Sequence, residues 1–563
     1  MKKMKRSKEV FPNYQEFQYR DKCVSTLLLI VTLSVLPWLN VDPINIIKLV
    51  LIVFISLQLI PTIFIIFSSR QNKDFAVLLV AIAIFEFVMV VSVLQPNFKF
   101  SYWFYGTYGR NTGFLAWTCI SILLFATLLG YTRNLENSTL KALALAGRVN
   151  VIYGSIQALS LDPIPWQNKN STIIGTLGNP NFFAAFVGIY VIVLAYKIFS
   201  NHVSNIARVV LLLELIVAEL LIVKSESIQG LVVSFAGVMT FVYLKLLKRI
   251  NSLAKVSTLL FGMLGTITLL VGFLGKGPFS FLFQQSSLYR IDYWQAAIRM
   301  TLDSPIFGVG LNGYENLYRQ YRTENIAKLV STATFSDSPH NVILEMMTFG
   351  GLLMLLPFTL IFIRFLIMVL RICRVGGDGL ELLSALLIGF IVQSLISPAN
   401  LALLTWGTVF FGLLWGKMHS QLQEKQTPPD SASSKKRSPF SAARILTNIS
   451  IGIIALFLAS PPQVKDMKYS YALKEAKKEF LIEATFSWPQ TCFHFYNTLN
   501  ILRLNGLHAD ALALAKRSVV EFPDCFELWE SIYINPRANE QEVDLARSKV
   551  LQLEPNYFLA KLR

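Results

Sequence analysis

A chain of 563 residues, 54% hydrophobic and only 15% charged, has more apolar side chains than one water-soluble core can hide behind a polar surface, so lipid must be the solvent for most of it. The formal charge of +17 sits in short Lys/Arg clusters between apolar runs, without a basic domain or recognition motif, which argues against nucleic acid as a partner. The cysteines, Cys23, Cys119, Cys373, Cys492 and Cys525, show no CxxC or other metal-ligand spacing, so no metal centre is expected. Cys492 and Cys525 could pair if their region is extracytoplasmic, but two free thiols is the simpler expectation, because sequence separation alone cannot bring their Cα atoms into reach.

Residues 1–22, MKKMKRSKEVFPNYQEFQYRDK, are basic and polar, and no small-residue cleavage site follows the next apolar run. They read as a cytoplasmic segment before an uncleaved span. Crossing about 30 Å of hydrocarbon as a helix takes about 20 apolar residues, and only helices or closed barrels satisfy their backbone there. About thirteen spans are expected on that basis: 23–39, 44–68, 75–94, 112–131, 140–160, 181–199, 208–223, 229–247, 256–274, 342–371, 380–397, 401–416 and 445–460. With the N-terminus inside, Arg70, Lys73, Arg133, Arg208, Lys245, Lys248, Arg249, Arg371, Arg374 and Lys435–Arg437 all fall on the inner side, as cytoplasmic loops require.

Three outer regions remain, 95–111, 161–180 and 275–341. The last is too long for a structureless connection and should carry helices and a function. Tyr289, Tyr293, Ala296 and Ala297 recur at helical spacing over 287–303, which Ser304-Pro305 terminates, and a second helix is expected from Tyr314 to about Leu329. The Pro/Ser/Lys-rich stretch 417–444 reads as a cytoplasmic linker, and the span 445–460 then leaves the tail, 461–563, outside. Within it ALALAKRSVVEFP (511–523) and VDLARSKVLQLEP (543–555) repeat at a spacing just below the tetratricopeptide period of about 34 residues. A tetratricopeptide-like surface for a protein partner and a small helical cap without ligand both fit. The fold class expected is all-α, a polytopic transmembrane bundle with a small extracytoplasmic helical C-terminal domain.

Polar motifs gather on the outer side. In GTLGNPNFFAAF, Gly175–Phe186, Asn179 and Asn181 can cap a span that Pro180 opens, and the N–H groups there would suit a phosphate. Arg290 lies one helical turn before Trp294, SPIFGVGLNGY follows at 304–314, and SDSPHNVILEMMTFGG at 336–351 places His340 and Asn341 where the long region re-enters the membrane. Arginine offers a donor fork matched to phosphate, and histidine titrates near neutrality. The bland alternatives are an interfacial anchor for His340 and a snorkelling arginine for Arg110 in YGRNTG.

Taken together, GTLGNPNF, Arg290 and Trp294, Pro305-Ile306 with Gly308 and Gly310, His340-Asn341 and Gly350-Gly351 resemble the O-antigen ligase and polymerase superfamily over about residues 100–416. The resemblance implies transfer of a glycan from an undecaprenyl-diphosphate carrier to a hydroxyl acceptor, be it lipid core, glycan or protein, on the outer face of the cytoplasmic membrane. It implies no nucleotide sugar, cofactor or metal. It also implies that Arg290 holds the diphosphate and His340 activates the acceptor, with Trp294, Asn341, Asn179 and Asn181 among the candidate binding residues. The family's second arginine, after the seventh span, is missing; VKSESIQG offers Lys224 instead, a point charge in place of a fork, and Arg110 is the other candidate. A rival from a different class is a lipid-linked glycan flippase, since Glu86, Arg148, Glu214 and Glu219 lie within spans and should face the bundle interior. The lack of paired repeats with interrupted spans argues against it.

Overall fold

The computed structural model describes residues 14–68, 73–94, 98–164, 166, 173–200, 203–247, 285–329, 336–375, 379–424 and 442–557, with isolated residues between 257 and 280. The helices are α1 (Tyr14–Leu33), α2 (Asn45–Gln58), α3 (Ile60–Ser68), α4 (Lys73–Val91), α5 (Phe100–Tyr105), α6 (Phe114–Leu128), α7 (Arg133–Ala158), α8 (Pro180–Ile198), α9 (Asn205–Lys224) and α10 (Ile228–Leu247). They continue as α11 (Gln285–Asp303), α12 (Gly313–Tyr321), α13 (Glu324–Leu329), α14 (Val342–Val375), α15 (Glu381–Ile396), α16 (Leu401–Glu424) and α17 (Ala442–Glu475). A helical tail completes the chain: α18 (Lys478–Phe486), α19 (Cys492–Leu504), α20 (His508–Glu521), α21 (Phe526–Tyr533) and α22 (Glu540–Leu553). No strand occurs among the described residues, and the protein is an all-α membrane bundle.

Among the described residues, 7 helices are long and apolar enough to cross a membrane, and α6 and α15 are shorter apolar helices. α1, α7 and α9 cover three more expected spans with a less apolar composition. Most of the span expected at 256–274, and residues 425–441 of the linker, lie outside the described residues. Several boundaries differ from the hydropathy reading: α7 starts at Arg133, and α16 runs on to Glu424, into the stretch expected as a linker. α1 starts at Tyr14, and the buried Arg20 donates to Gly130 O at 2.6 Å while pairing with Asp21 at 2.7 Å, so these charges are packed inside the protein. The last span runs unbroken to Glu475 and carries the chain directly into the tail. Two of the charges inside spans are paired, Arg148 making two bonds of 3.0 Å to Glu214, which also accepts from Tyr190 at 2.6 Å; Glu86 accepts from Thr118 at 2.8 Å through one oxygen, and its Oε1 is buried without a hydrogen-bond partner.

α14 is broken at Gly350 (φ −138°) and Gly351 (φ 58°). A break in a membrane helix strips backbone groups of their partners, and lipid cannot replace them. The segment after α11 does so instead: Val309 N donates to Thr348 O at 2.7 Å, and Leu352 N donates to Pro305 O at 2.8 Å. Contact this close needs glycine on both sides. A Cβ at Gly308 (φ 63°) would fall 2.3 Å from Thr348 O, and one at Gly351 2.5 Å from Ile306 O. This interlock is what Pro305-Ile306, Gly308 and Gly350-Gly351 have in common, and it fixes the outer helices on the start of α14. The second outer helix, expected as one piece, is two short ones, α12 and α13.

The tail has its own apolar cluster, including Phe495, Leu514, Trp529 and Val550. Ala511, Ala515 and Ala546, the small residues of the two similar segments, are buried within it, so that face is used in internal packing. Cys492 and Cys525 form a disulfide with Cα atoms 6.3 Å apart, which corrects the expectation of two free thiols; folding of α19 against α21 supplies the proximity that sequence separation could not show. The tail is docked, not loose. Tyr102 of α5 accepts from Cys492 N at 3.0 Å, and Tyr108 donates to Asp466 of α17 at 2.6 Å. From α12, Arg319 pairs with Glu527 at 2.6 Å and lies 4.3 Å over Phe526, and just beyond it Arg322 pairs with Glu554 at 2.8 Å. Arg322 and Glu554 are both shut off from solvent.

Removing one partner of a buried pair strands the other. Glu554→Ala is therefore expected to cost about 3–5 kcal/mol, seen as a lower unfolding temperature and new protease cleavage after Glu475. The double variant R322M/E554L should recover most of that loss; a single variant that unfolds and is cleaved like the parent would show that the pair contributes nothing to docking.

Candidate glycan-transfer site

One end of the bundle gathers the turns before α6, α8 and α14, and α11 and α12 pack there. The turn before α6 is rigid: a Cβ on Gly113 would lie 2.3 Å from Gly106 N, Arg110 N and Asn111 N both donate to Thr107 O, and Asn45 Nδ2 donates to Gly109 O at 2.7 Å. Arg110 leaves this turn and grips Asp337 with two nitrogens, Nε at 2.6 Å and Nη2 at 3.0 Å. Its guanidinium also lies 5.7 Å from the ring of Phe182, on the first turn of α8.

Asp337 belongs to the turn that presents His340. Ser336 Oγ donates to Ser338 O at 2.7 Å, His340 N donates to Ser338 Oγ at 3.1 Å, and His340 Nδ1 lies 2.9 Å from Ser338 O. A carbonyl only accepts, so Nδ1 carries the proton and Nε2 is the basic nitrogen. Burial holds the imidazole down to about 4, with Arg110 and Arg290 adding to the effect while Asp337 and the Ser338 carbonyl oppose it. His340 is therefore neutral at physiological pH. The Tyr293 ring lies 5.2 Å from it.

Arg290 and Tyr293 are one turn apart on α11, and Arg290 is 9% exposed. α11 is held against α12 by Tyr314 Oη donating to Tyr293 O at 3.0 Å and Tyr318 Oη donating to Asp292 at 2.8 Å. Trp294 Nε1 is buried without a hydrogen-bond partner. Asn341 starts α14, accepting from Ile343 N and Leu344 N and donating to Leu395 O at 3.0 Å. It orients the helix that carries the His340 turn.

The other expected residues are placed differently. Asn179 caps α8 by accepting from Asn181 N at 2.8 Å, and Asn181 Oδ1 accepts from Ser227 at 2.8 Å. Lys224 donates to the carbonyl of Ala158, the last residue of α7, at 2.7 Å. These three side chains serve helix ends, and none is bonded to His340, Arg290 or Arg110. Sequence reading missed Asp337, whose only signal was an acid three residues before the histidine, and Glu315 of α12. Glu315 Oε2 is buried without a hydrogen-bond partner, and its carboxyl is pushed up to about 8 by burial and by the negative charges of Asp337 and Glu527. Cys492, Cys525 and Glu527 bring potential metal ligands within 4.8 Å of one another, but both sulfurs are committed to the disulfide.

A neutral, oriented imidazole beside two guanidinium groups can accept a proton next to a site for a phosphorylated anion. Residues 182–359 match the family Wzy_C, O-Antigen ligase. No curated protein matches the chain. The matched segment contains Arg290, Trp294, His340 and the Gly350–Gly351 break, and the match supports the O-antigen ligase superfamily for this part of the chain.

Proposed function

We propose that this protein transfers a glycan from an undecaprenyl-diphosphate carrier to a hydroxyl acceptor at the extracytoplasmic face of the cytoplasmic membrane. The observation that carries this reading is the His340 turn, where Nδ1 is committed to Ser338 O and Nε2 is left as the base. In the proposed step Nε2 takes the acceptor's hydroxyl proton as the acceptor oxygen bonds to sugar C1. The bond from C1 to the phosphate oxygen breaks, its electron pair stays on the diphosphate, and Arg290 stabilises that charge. The products are the glycosylated acceptor and the lipid diphosphate, and His340 returns its proton to solvent.

The depressed basicity of His340 fits a base that is switched on by its donor. Arg110 and Arg290 both disfavour the imidazolium, and a bound diphosphate supplies the negative charge that offsets them. The docked tail stands beside this site through α12, which supports an acceptor, glycan, lipid core or protein hydroxyl, that meets both surfaces; a protein acceptor would make the chain an O-oligosaccharyltransferase.

Purified protein in liposomes, given an undecaprenyl-diphosphate glycan and mixed acceptors, should form a glycosylated acceptor that mass spectrometry identifies. His340→Ala should abolish product while insertion is unchanged; full transfer by that variant would remove the base assignment, and donor movement across the bilayer without product would make the protein a flippase. The acid limb of kcat/KM should reflect a free-enzyme group at about 4, and that of kcat should lie at higher pH because the bound diphosphate favours the imidazolium. Identical limbs would contradict donor switching. Arg290→Lys should lose activity nearly as completely as Arg290→Ala, since the fork is lost in both; an active Lys variant would leave only a generic charge role.

A further inference from the structure

His340 has φ of +56°, a left-handed conformation that is strained for a residue with a Cβ and persists only where the surroundings over-determine it. Its own turn supplies local bonds through Ser336 and Ser338. Tethering to the rest of the molecule comes from two places. Asn341 Nδ2 holds Leu395 O on α15, and Arg110 holds Asp337 from the turn before α6. The second tether is the stiffer, because two nitrogens of a planar fork engage one carboxylate and fix its orientation as well as its distance. Its anchor is stiff too, since Gly106 and Gly113 back onto each other and Thr107 O takes two amides.

From this juxtaposition we infer that Arg110 and Asp337 are a positioning pair for His340, and that Arg110 is not a ligand of the donor diphosphate. The inference rests on the transfer reaction proposed above. The Nε/Nη2 edge of the Arg110 guanidinium is committed to Asp337 and its face lies over Phe182, whereas Arg290 sits on α11 one turn from the tyrosine that touches the His340 ring. The division of labour follows: Arg290 takes the anion and Arg110 sets the base. Asp337 is in turn surrounded by the charges that tune the centre, with Arg110 on one side and Glu315 of α12 and Glu345 of α14 facing the same arginine. Charge on Arg110 opposes proton uptake by His340 and charge on Asp337 favours it, so the two members of the pair act on the imidazole in opposite senses.

The test uses the full chain in liposomes with the undecaprenyl-diphosphate glycan, comparing the parent with Asp337→Asn, Arg110→Gln and the swap R110D/D337R. Both single variants should lose about 10–100-fold in kcat, the scale of a misplaced catalytic group, with the donor KM unchanged. The acid limb should move to lower pH in Asp337→Asn and to higher pH in Arg110→Gln, and the swap should recover part of kcat. A raised donor KM in Arg110→Gln with Asp337→Asn unaffected would overturn the inference and make Arg110 a diphosphate ligand; limbs that move together would overturn it in favour of a structural prop. Labelling of His340 with diethyl pyrocarbonate across pH reads its titration without any turnover. If the parent forms no glycosylated product, the proposed reaction fails, while opposite shifts in labelling still uphold the pair and equal ones still refute it.

Discussion

The backbone exchange at the break in α14 is the constraint from which the site follows. An amide or carbonyl unpaired inside a membrane protein costs several kcal/mol, so the chain cannot tolerate Gly350–Gly351 unless another segment fills the gap. The Pro305–Val309 segment fills it, and because it follows directly on α11, the helix bearing Arg290 is held against the helix that follows the His340 turn. The helices α11 and α12 are thus not draped over the bundle but keyed into it. Four residues without side-chain chemistry of their own, Pro305, Gly308, Gly350 and Gly351, decide where a histidine and an arginine meet.

The charges of the site are balanced against each other before any substrate is present. Arg110 is answered by Asp337, with Glu315 and Glu345 nearby, and the net effect on His340 is dominated by burial and the cations. Such a centre resists protonation when empty and gains basicity when an anion enters, which suits a reaction whose donor brings its own negative charge. The carboxyl of Glu315 has a further consequence. It lies between the Arg110–Asp337 pair and the Arg319–Glu527 pair, so the docking of the tail and the electrostatics of the site share one helix, α12.

That sharing gives the tail a structural role. Its alanine faces are consumed in its own packing, its disulfide ties α19 to α21, and its acids Glu527 and Glu554 take the arginines that follow from α12. Two arginines buried beneath a separate helical layer would be expensive alone. The tail's carboxylates are what allow α12 to carry them, and α12 in turn packs the tyrosines that hold α11.

Several of these features were present in the residues themselves. Apolar runs of about 20 residues determine a membrane bundle because hydrocarbon demands it, and the Tyr289–Ala297 periodicity with Ser304-Pro305 placed α11 to within two residues at its start and at its end. Asn179-Pro180 announced the start of α8 because capping is local chemistry. His340 and Arg290 were legible as residue types suited to a proton and a phosphate. Tertiary structure alone decided the rest. Arg110 and Asp337 are 227 positions apart and nothing local pairs them; Lys224 turned out to serve a helix end, and Cys492 met Cys525 only through the folding of the tail. Local periodicity and capping act within a few residues, whereas ion pairing, burial and the orientation of an imidazole depend on which distant segments are brought to the same end of the bundle.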